Sequence, residues 1–376
     1  MIPLVDLKRQ YKIIKKEIDE SIQSVIESTQ FIQGQNVKAF EKEFAAISGT
    51  HHGVATSSGT TALHLALTAL RIGPGAEVIT VPNTFIATTE AISQARAKIK
   101  FVDIDEKTYN MDVEKLEAAI TEKTKAIIPV HIYGQPADME PILAIAKKHH
   151  LKVIADAAQA HLSSYKDKPI GQFGDAIIYS FYPAKNLGAY GDAGMVLTNN
   201  DELASKMRMM ADHGRTGKYE HLIEGFNYRM DEIQAAILRA KLKYLLKWTH
   251  RRRQIAKNYD MLLEQLDVIV PYVAEYAKHV YHLYVIRVKD RQRVLDVLAK
   301  EEISAGIHYP IPLHLQKAYQ HLGYSKGSFP VAERCAQEIL SLPMFPEMID
   351  KEVYKVASTL SIACGRRTGT FHHASR

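Results

Sequence analysis

Val153-Ile-Ala-Asp156-Ala-Ala-Gln159-Ala-His161 begins as a short apolar run and turns polar at Asp156. A run this short, bounded by polar residues, reads as a strand buried on both faces. Asp156 then stands at the carboxyl end of that strand. In open α/β sheets this edge is where ligands bind. Burying a carboxylate there is costly unless a cation or several donors meet it. Two readings stay open: a cap at the strand exit, or a counter-ion for a bound cationic ring.

Similar runs lie on either side. They are Gly53-Val-Ala-Thr56, Glu77-Val-Ile-Thr80, Ile99-Lys-Phe-Val102, Ala126-Ile-Ile-Pro-Val130, Ala176-Ile-Ile-Tyr-Ser180 and Met195-Val-Leu-Thr198. Helical patterns accompany them. Tyr11, Ile14, Ile18, Ile22 and Ile26 share one face of a helix over 9–28, and Thr60 to Ala69 reads as a helix stopped by Gly73-Pro-Gly75. Further helices are predicted at 201–212 and 230–266. Strands alternating with helices predict an α/β fold with a mostly parallel sheet covered on both faces. Beyond about residue 270 the pattern changes. Tyr281-His-Leu-Tyr-Val-Ile-Arg-Val288 alternates like a strand, a helix follows at 290–301, and then comes Ile303-Ser-Ala-Gly-Ile-His308. This predicts a large α/β domain with an N-terminal helix over 1–245 and a small α+β C-terminal domain over 246–376. The boundary falls within a long helix that bridges the two.

Composition sets the outer limits. The 376 residues, divided by the ~150 residues of an average domain, are consistent with two domains. Hydrophobic residues at 46% and charged residues at 24% exclude a disordered, collagenous or coiled-coil chain. Two cysteines, Cys335 and Cys364, exclude a disulfide framework and a four-cysteine zinc site, and fit a reducing cytoplasm. The net charge of +6 is spread along the chain, without the basic stripe of a nucleic-acid binder. The one dense cluster, Lys247 with Arg251, Arg252 and Arg253, reads as the solvated face of a helix, or else as a patch for an anion. Met1-Ile-Pro-Leu-Val-Asp-Leu-Lys8 does not read as a signal peptide, and no apolar run approaches the ~20 residues of a membrane span. The expectation is a cytoplasmic protein without nucleic-acid or membrane partners. Gly365 to Arg376 is polar and aperiodic and reads as a loose tail, in which His372-His373 is too little for a metal site. A longer amphipathic terminal helix would be expected than the sequence after Ala357 offers.

Three stretches carry chemistry. Ser57-Ser-Gly59-Thr60-Thr-Ala-Leu63 follows a strand and opens a helix, where free N–H groups and the helix dipole suit a phosphate. Simple N-capping by Ser or Thr is the plainer reading, and the Gly-Lys pair of a P-loop is absent. Ser180-Phe-Tyr182-Pro-Ala-Lys185-Asn-Leu-Gly188-Ala-Tyr-Gly191-Asp-Ala-Gly194 puts a lysine in a glycine-rich loop after a buried strand. That lysine is either solvated or a desolvated amine able to form a Schiff base. The Asp156 strand is the third. Pyridoxal phosphate (PLP) unites them: it needs a Schiff-base lysine, an acid for the pyridine nitrogen, a phosphate cup and a flat face against its ring. Asp156 and Lys185 fall at the ends of successive strands and can converge at one edge. Phe85, in Pro82-Asn-Thr-Phe-Ile-Ala-Thr88, lies just past another strand and is a candidate for the flat face.

With these residues the chain resembles the DegT/DnrJ/EryC1/StrS family of PLP-dependent sugar aminotransferases. The resemblance runs from Ile2-Pro-Leu-Val-Asp-Leu7 to about Pro346. It rests on Ser58-Gly-Thr60, Asp156-Ala-Ala-Gln159-Ala-His161, Ser180-Phe-Tyr-Pro-Ala-Lys185, Gly225-Phe-Asn227-Tyr-Arg-Met230, Gly306-Ile-His308-Tyr309-Pro310 and Leu342-Pro-Met-Phe-Pro346. It implies the fold type I aminotransferase architecture, with a mostly parallel seven-stranded sheet, and a homodimer with active sites at the subunit interface. By the same resemblance Lys185 is the Schiff-base lysine and the general base. Asp156 pairs with the pyridine nitrogen and Gln159 reaches the ring hydroxyl oxygen. Gly59, Thr60 and Ser180 hold the phosphate, Asn227 reaches the phosphate of the neighbouring subunit, and Phe85 stacks on the ring. A lysine rather than a histidine at position 185 sets the chain apart from the family's 3-dehydratases.

The resemblance also implies L-glutamate as amino donor and a nucleotide-linked keto sugar as acceptor, most closely a dTDP-3-keto-6-deoxyhexose aminated at carbon 3. A UDP-linked sugar and amination at carbon 4 stay open. Tyr182, His308 and Tyr309 are candidates to face the sugar, with structural hydrogen bonding or core packing as the alternative. Arg215 and Lys218, in His213-Gly-Arg-Thr-Gly-Lys218, fit a solvated loop better than a diphosphate contact. Two other classes compete. An amino-acid-directed PLP enzyme such as a cysteine desulfurase would need a cysteine on a mobile loop, which neither Cys335 nor Cys364 provides. A non-catalytic regulator of the same fold would have no need of Lys185, Asp156 and Gln159 together.

Overall fold

The computed structural model describes residues 1–365; His372, His373 and nearly all of the stretch read as a tail lie outside the described residues. The strands, in chain order, are β1 (His52–Thr56), β2 (Glu77–Thr80), β3 (Lys98–Phe101), β4 (Thr124–Ile127), β5 (Lys152–Asp156) and β6 (Ser164–Tyr165). They continue with β7 (Lys168–Pro169), β8 (Ala176–Ser180), β9 (Gly194–Thr198), β10 (Ala277–Lys278), β11 (Tyr284–Arg287) and β12 (Ile339–Leu342). The helices are α1 (Leu7–Ser28), α2 (Gln35–Ile47), α3 (Gly59–Ala69), α4 (Ala87–Gln94), α5 (Val113–Leu116) and α6 (Met139–Lys148). After them come α7 (Asp201–Ala211), α8 (Glu232–Leu242), α9 (Leu245–Leu263), α10 (Arg291–Lys300), α11 (Pro330–Glu338) and α12 (Asp350–Cys364).

Seven strands form one sheet in the order β1-β9-β8-β5-β4-β2-β3. Only β9 runs against its neighbours, β1 and β8; the remaining pairs are parallel. The sheet is buried on both faces, which explains why its strands read as unbroken apolar runs. Val153, Ile154 and Ala155 at its centre are at most 2% exposed. Helix α3 packs on β8 and β9 and is itself covered by α4 and α7. It is therefore largely apolar, with Ala62, Leu63, Leu65, Ala66 and Leu67 buried beside His64, which pairs with the Tyr228 hydroxyl.

A second apolar core lies in the C-terminal part. Antiparallel β11 and β12 contribute Tyr284, Ile286, Leu340 and Leu342, against Leu298 of α10 and Val356 and Leu360 of α12. The single helix expected over 230–266 is two, α8 and α9, broken at Lys243–Tyr244. Helix α8 packs against α1 and α2. Helix α9 starts with Leu245 in the first core and carries Ile255, Tyr259 and Leu263 into the second. One straight cylinder cannot serve both sets of partners.

Two expectations are corrected here. The basic cluster on α9 is not a solvated face. Arg252 is 3% exposed and donates through Nη1 to the carbonyls of Tyr281, His282 and Met344 at 3.0–3.3 Å. Arg253 donates to the His279 carbonyl and Arg251 to that of Met348. Only Lys247 of the four is exposed. Guanidinium groups with several donors suit such carbonyl clusters, and composition alone cannot separate them from surface arginines. The terminal helix also forms. In α12, Val353, Val356, Ala357, Leu360 and Ala363 are buried at helical spacing, and the helix packs on α9 and α10. Small residues on its inner face had weakened the apolar pattern.

Candidate active site

The sheet's register assembles the site. Gly194, the first residue of β9, pairs with Thr56 at the end of β1 and with Ser180 at the end of β8. Ser58-Gly59 is thereby brought against Ser180. A Cβ on Gly59 would lie 2.8 Å from the Ser180 Cβ, and one on Gly194 would lie 2.3 Å from the Ser58 carbonyl. Neither position has room for a side chain. Ser58 caps α3: its hydroxyl accepts from Thr61 N at 3.1 Å while Thr61 Oγ1 accepts from Ser58 N at 2.9 Å. Capping and anion binding are therefore divided along the stretch. Ser58 performs the first, and Gly59 and Thr60 offer the leading amides of the helix for the second.

Asp156 ends β5, beside Ile178 of β8. Its Oδ2 accepts from Thr88 Oγ1 at 2.9 Å and its Oδ1 from Ala158 N at 3.1 Å. Burial pushes the carboxyl pKa up; the Ala158 amide, the Thr88 hydroxyl and the Lys185 charge oppose that rise without cancelling it. A buried carboxylate left under-compensated in this way is suited to a cation delivered into the cavity. Lys185 sits in the loop between β8 and β9. Phe181 N donates to Ala193 O and Ala189 N to Phe181 O, both at 2.8 Å, closing the loop on itself. Lys241, buried on α8, donates to the Gly188 carbonyl within the same loop. Burial lowers the Lys185 pKa to about 8, with Asp156 acting the other way. A lysine near that value keeps a usable neutral amine at physiological pH.

Gln159 is fixed from one side: its Oε1 accepts from Tyr133 N at 2.6 Å, leaving Nε2 to donate towards the Tyr309 hydroxyl at 3.4 Å. Phe85 is 54% exposed, so it is not core, and its ring stands 5.8 Å from that of Tyr309. Tyr182 is likewise 56% exposed. His308 pairs through Nδ1 with Ser341 Oγ at 2.8 Å, and its carbonyl accepts from the Tyr133 hydroxyl.

A single cavity of about 450 Å³ is lined by Gly59, Thr60, Ser180, Asp156, Gln159 and Lys185. Phe85, Tyr182, His308 and Tyr309 also line it. Of the residues expected at the site, only Asn227 is elsewhere. It is exposed, in the segment after α7, where it bridges to Asp212. Asp212 is also held by Arg215 and Arg229, each at 2.6 Å, so Arg215 is committed to a local ion pair.

The structure adds residues that the sequence did not single out. Thr88 orients Asp156 and is itself linked to Thr84 Oγ1 at 3.0 Å; two threonines four apart at a helix start were the available signal. Asp192 and His282 also line the cavity, and nothing in the local sequence marked them. The cradle at Gly59, the under-compensated Asp156 and the desolvated Lys185 together fit pyridoxal phosphate. Gly59→Ala should force this helix end and Ser180 apart and weaken cofactor affinity by about tenfold or more, read by titrating the apoprotein with PLP. Unchanged affinity would take the phosphate away from this helix end.

Comparison with known proteins places the chain in a family. Residues 12–361 match the DegT/DnrJ/EryC1/StrS aminotransferase family. A pleiotropic regulatory protein of Geobacillus stearothermophilus is 48% identical over 96% of this chain and 98% of its own length. A UDP-N-acetyl-3-dehydro-alpha-D-glucosamine 3-aminotransferase of Acidithiobacillus ferrooxidans is 45% identical, covering 96% and 97%. A dTDP-3-amino-3,6-dideoxy-alpha-D-galactopyranose transaminase of Aneurinibacillus thermoaerophilus is 44% identical, covering 96% and 99%. Among solved structures, S. venezuelae DesV in complex with a ketimine intermediate superposes with a TM-score of 0.95 at 39% identity, over 98% of this chain and 99% of that one. NtdA from Bacillus subtilis with bound cofactor PMP gives 0.88 at 33% identity, over 96% and 83%.

Proposed function

Because the chain belongs to the DegT/DnrJ/EryC1/StrS aminotransferase family and is a PLP-dependent nucleotide-sugar aminotransferase, we propose that it moves an amino group from L-glutamate to carbon 3 of a dTDP-linked 3-keto-6-deoxyhexose, in deoxyamino-sugar biosynthesis. The observation that carries this reading is Lys185, desolvated in one cavity with Asp156 and Gln159. The dTDP-sugar transaminase at 44% identity supports the nucleotide and the class of sugar. The UDP-sugar aminotransferase at 45% identity favours a second reading, a UDP-linked 3-keto sugar. The regulatory name of one relative does not displace either. A sensor has no need for a desolvated lysine facing a buried acid.

When bound, the cofactor supplies an electron sink that makes a proton on the neighbouring carbon labile. In this reading Lys185 Nζ would hold the cofactor covalently, and its amine would be the base that moves that proton between the two adjacent carbons. One base serves both transfers because both carbons lie within its reach. Asp156 supplies the negative charge opposite the pyridine nitrogen, and Thr88 and the Ala158 amide keep its oxygens aimed. The Gln159 Nε2 would donate to the ring hydroxyl oxygen. Gly59, Thr60 and Ser180 would cup the phosphate, and the exposed Phe85 would cover the ring. Asn227 reaches the phosphate site of the partner subunit in a homodimer, for which its exposed position is suited. Tyr182, His308 and Tyr309 face the sugar. The same reading keeps the division of the chain at about residue 245, between the cofactor-binding part and the C-terminal part.

Among the described residues no helix is long and apolar enough to cross a membrane. The test of the substrate is steady-state turnover with L-glutamate and either a dTDP- or a UDP-linked 3-keto sugar, with the aminated carbon located by NMR. The expected result is a kcat/KM at least about tenfold higher for the dTDP sugar, with nitrogen on carbon 3. A preference for the UDP sugar would move the assignment to the second reading.

A further inference from the structure

We propose that His282 is a substrate-contacting residue: Asn186 fixes its proton on Nδ1, and its Nε2 accepts a hydrogen bond from a hydroxyl of the keto sugar. This rests on the nucleotide-sugar reading above. The argument starts at Asn186, the residue next to Lys185 and 3% exposed. Its Nδ2 donates to the Val280 carbonyl at 3.2 Å, which orients the side-chain amide. Its Oδ1 therefore faces His282 Nδ1, also at 3.2 Å, and can only accept. The proton is on Nδ1, and Nε2 is left as a bare lone pair.

The rest of the surroundings keep that arrangement in place. Arg252 Nη1 donates to the carbonyls of Tyr281 and His282 at 3.1 and 3.3 Å, anchoring the backbone that carries the ring. Leu283 N and Val280 N donate to the carbonyls of Tyr133 and Gly134. Burial, with the Lys185, Arg252 and neighbouring histidine charges, drives the His282 pKa well below its ordinary value, so the ring stays neutral. It lines the cavity together with Lys185, His308 and Tyr309 and is 8% exposed. A neutral acceptor oriented by a second residue and facing a cavity for a polyol is suited to reading one hydroxyl. A substrate lacking that hydroxyl would leave the lone pair unpaired, which is the stronger form of discrimination.

Two substitutions separate the two ends of the ring. His282→Asn places an amide where Nδ1 was, keeping the link to Asn186 and removing the Nε2 acceptor. His282→Gln places an amide oxygen near Nε2 and gives up the link. Each cofactor-loaded variant is assayed in two half-reactions: spectral conversion by the amino donor, and return of the original spectrum with the keto-sugar nucleotide. For His282→Asn the expected result is a donor half-reaction within about twofold of the parent and a KM for the sugar raised about tenfold or more, with His282→Gln recovering most of that loss. The opposite ranking, with Asn benign and Gln impaired, would make His282 a positioning residue for the Lys185 loop and overturn the proposal. So would an equal fall in both half-reactions, or no change in either. A pH titration of the visible band without substrate adds a further readout: a shift in His282→Asn would assign Nε2 to Lys185 instead of the sugar. If the parent itself accepts no keto-sugar nucleotide, the substrate reading fails first, and this proposal falls with it.

Discussion

Replacing Lys185 with alanine is expected to abolish the visible absorbance of the cofactor-loaded protein and lower turnover by about 10⁴-fold or more, with the fold intact. Two functions are lost at once, the covalent attachment and the base that moves the proton. The loss is not structural, because the Lys185 side chain is a destabilising group in the fold. Burial lowers its pKa from 10.5 to about 8, so the charged form is penalised in the folded state. For this group stability rises with pH between those two values, and removing the amine should leave thermal stability at neutral pH equal or higher. The same shift sets the pH dependence of cofactor capture. Only the neutral amine attacks, so capture by the wild-type apoprotein should slow about tenfold per pH unit below about 8 and level off above it. Turnover retained by the alanine variant, or capture independent of pH, would remove Lys185 from its assigned place.

The second large effect is expected at Asp156. Asp156→Asn is nearly isosteric and can still accept from Thr88 or Ala158, so the cavity keeps its shape. What it loses is the charge opposite the pyridine nitrogen. Truncating one side of a buried charged pair costs about 2–5 kcal/mol, so kcat/KM should fall by about 30- to 5,000-fold while covalent loading through Lys185 persists. Thr88→Val leaves the carboxylate in place and removes only one of its two hydrogen bonds, and should fall between the parent and Asp156→Asn. An Asp156→Asn enzyme with parental turnover would show that the carboxylate is a strand cap and nothing more.

Much of this site could be read from sequence because its chemistry is concentrated in short segments at strand ends. Asp156 and Lys185 each follow an apolar run too short for a helix, and the parallel sheet delivers both runs to one edge. Gly59 and Thr60 were visible for the same reason, as the start of a helix directly after a strand. What the sequence hid are contacts made across long separations. Thr88 reaches Asp156 from a helix on another strand-helix unit, and His282 reaches Asn186 from the C-terminal part. The Thr84 and Thr88 spacing is a faint local signal for the first, and no local pattern points His282 inward. Arg252 is hidden for a related reason: on a helical wheel it is one of four basic residues, and only tertiary packing places carbonyls around it. The single helix expected over 230–266 failed where two adjoining helices bury their faces in different cores. Periodicity records that a face is buried but not against what.

Asn227 marks the limit of a single chain. It lies outside the cavity in this subunit, so its assigned contact exists only if a second copy brings it there.

The central claim, that Lys185, Asp156 and the Gly59 cradle form a working aminotransferase site for a keto-sugar nucleotide, is tested most directly by one absorbance experiment. The protein is loaded with PLP, its spectrum is recorded, L-glutamate is added, and after desalting a dTDP-linked 3-keto-6-deoxyhexose is added. The account predicts a visible band that disappears with glutamate and returns with the sugar. A folded protein that shows no visible band, or a band that glutamate leaves untouched while other amino donors discharge it, would contradict the account at the cofactor and at the donor respectively.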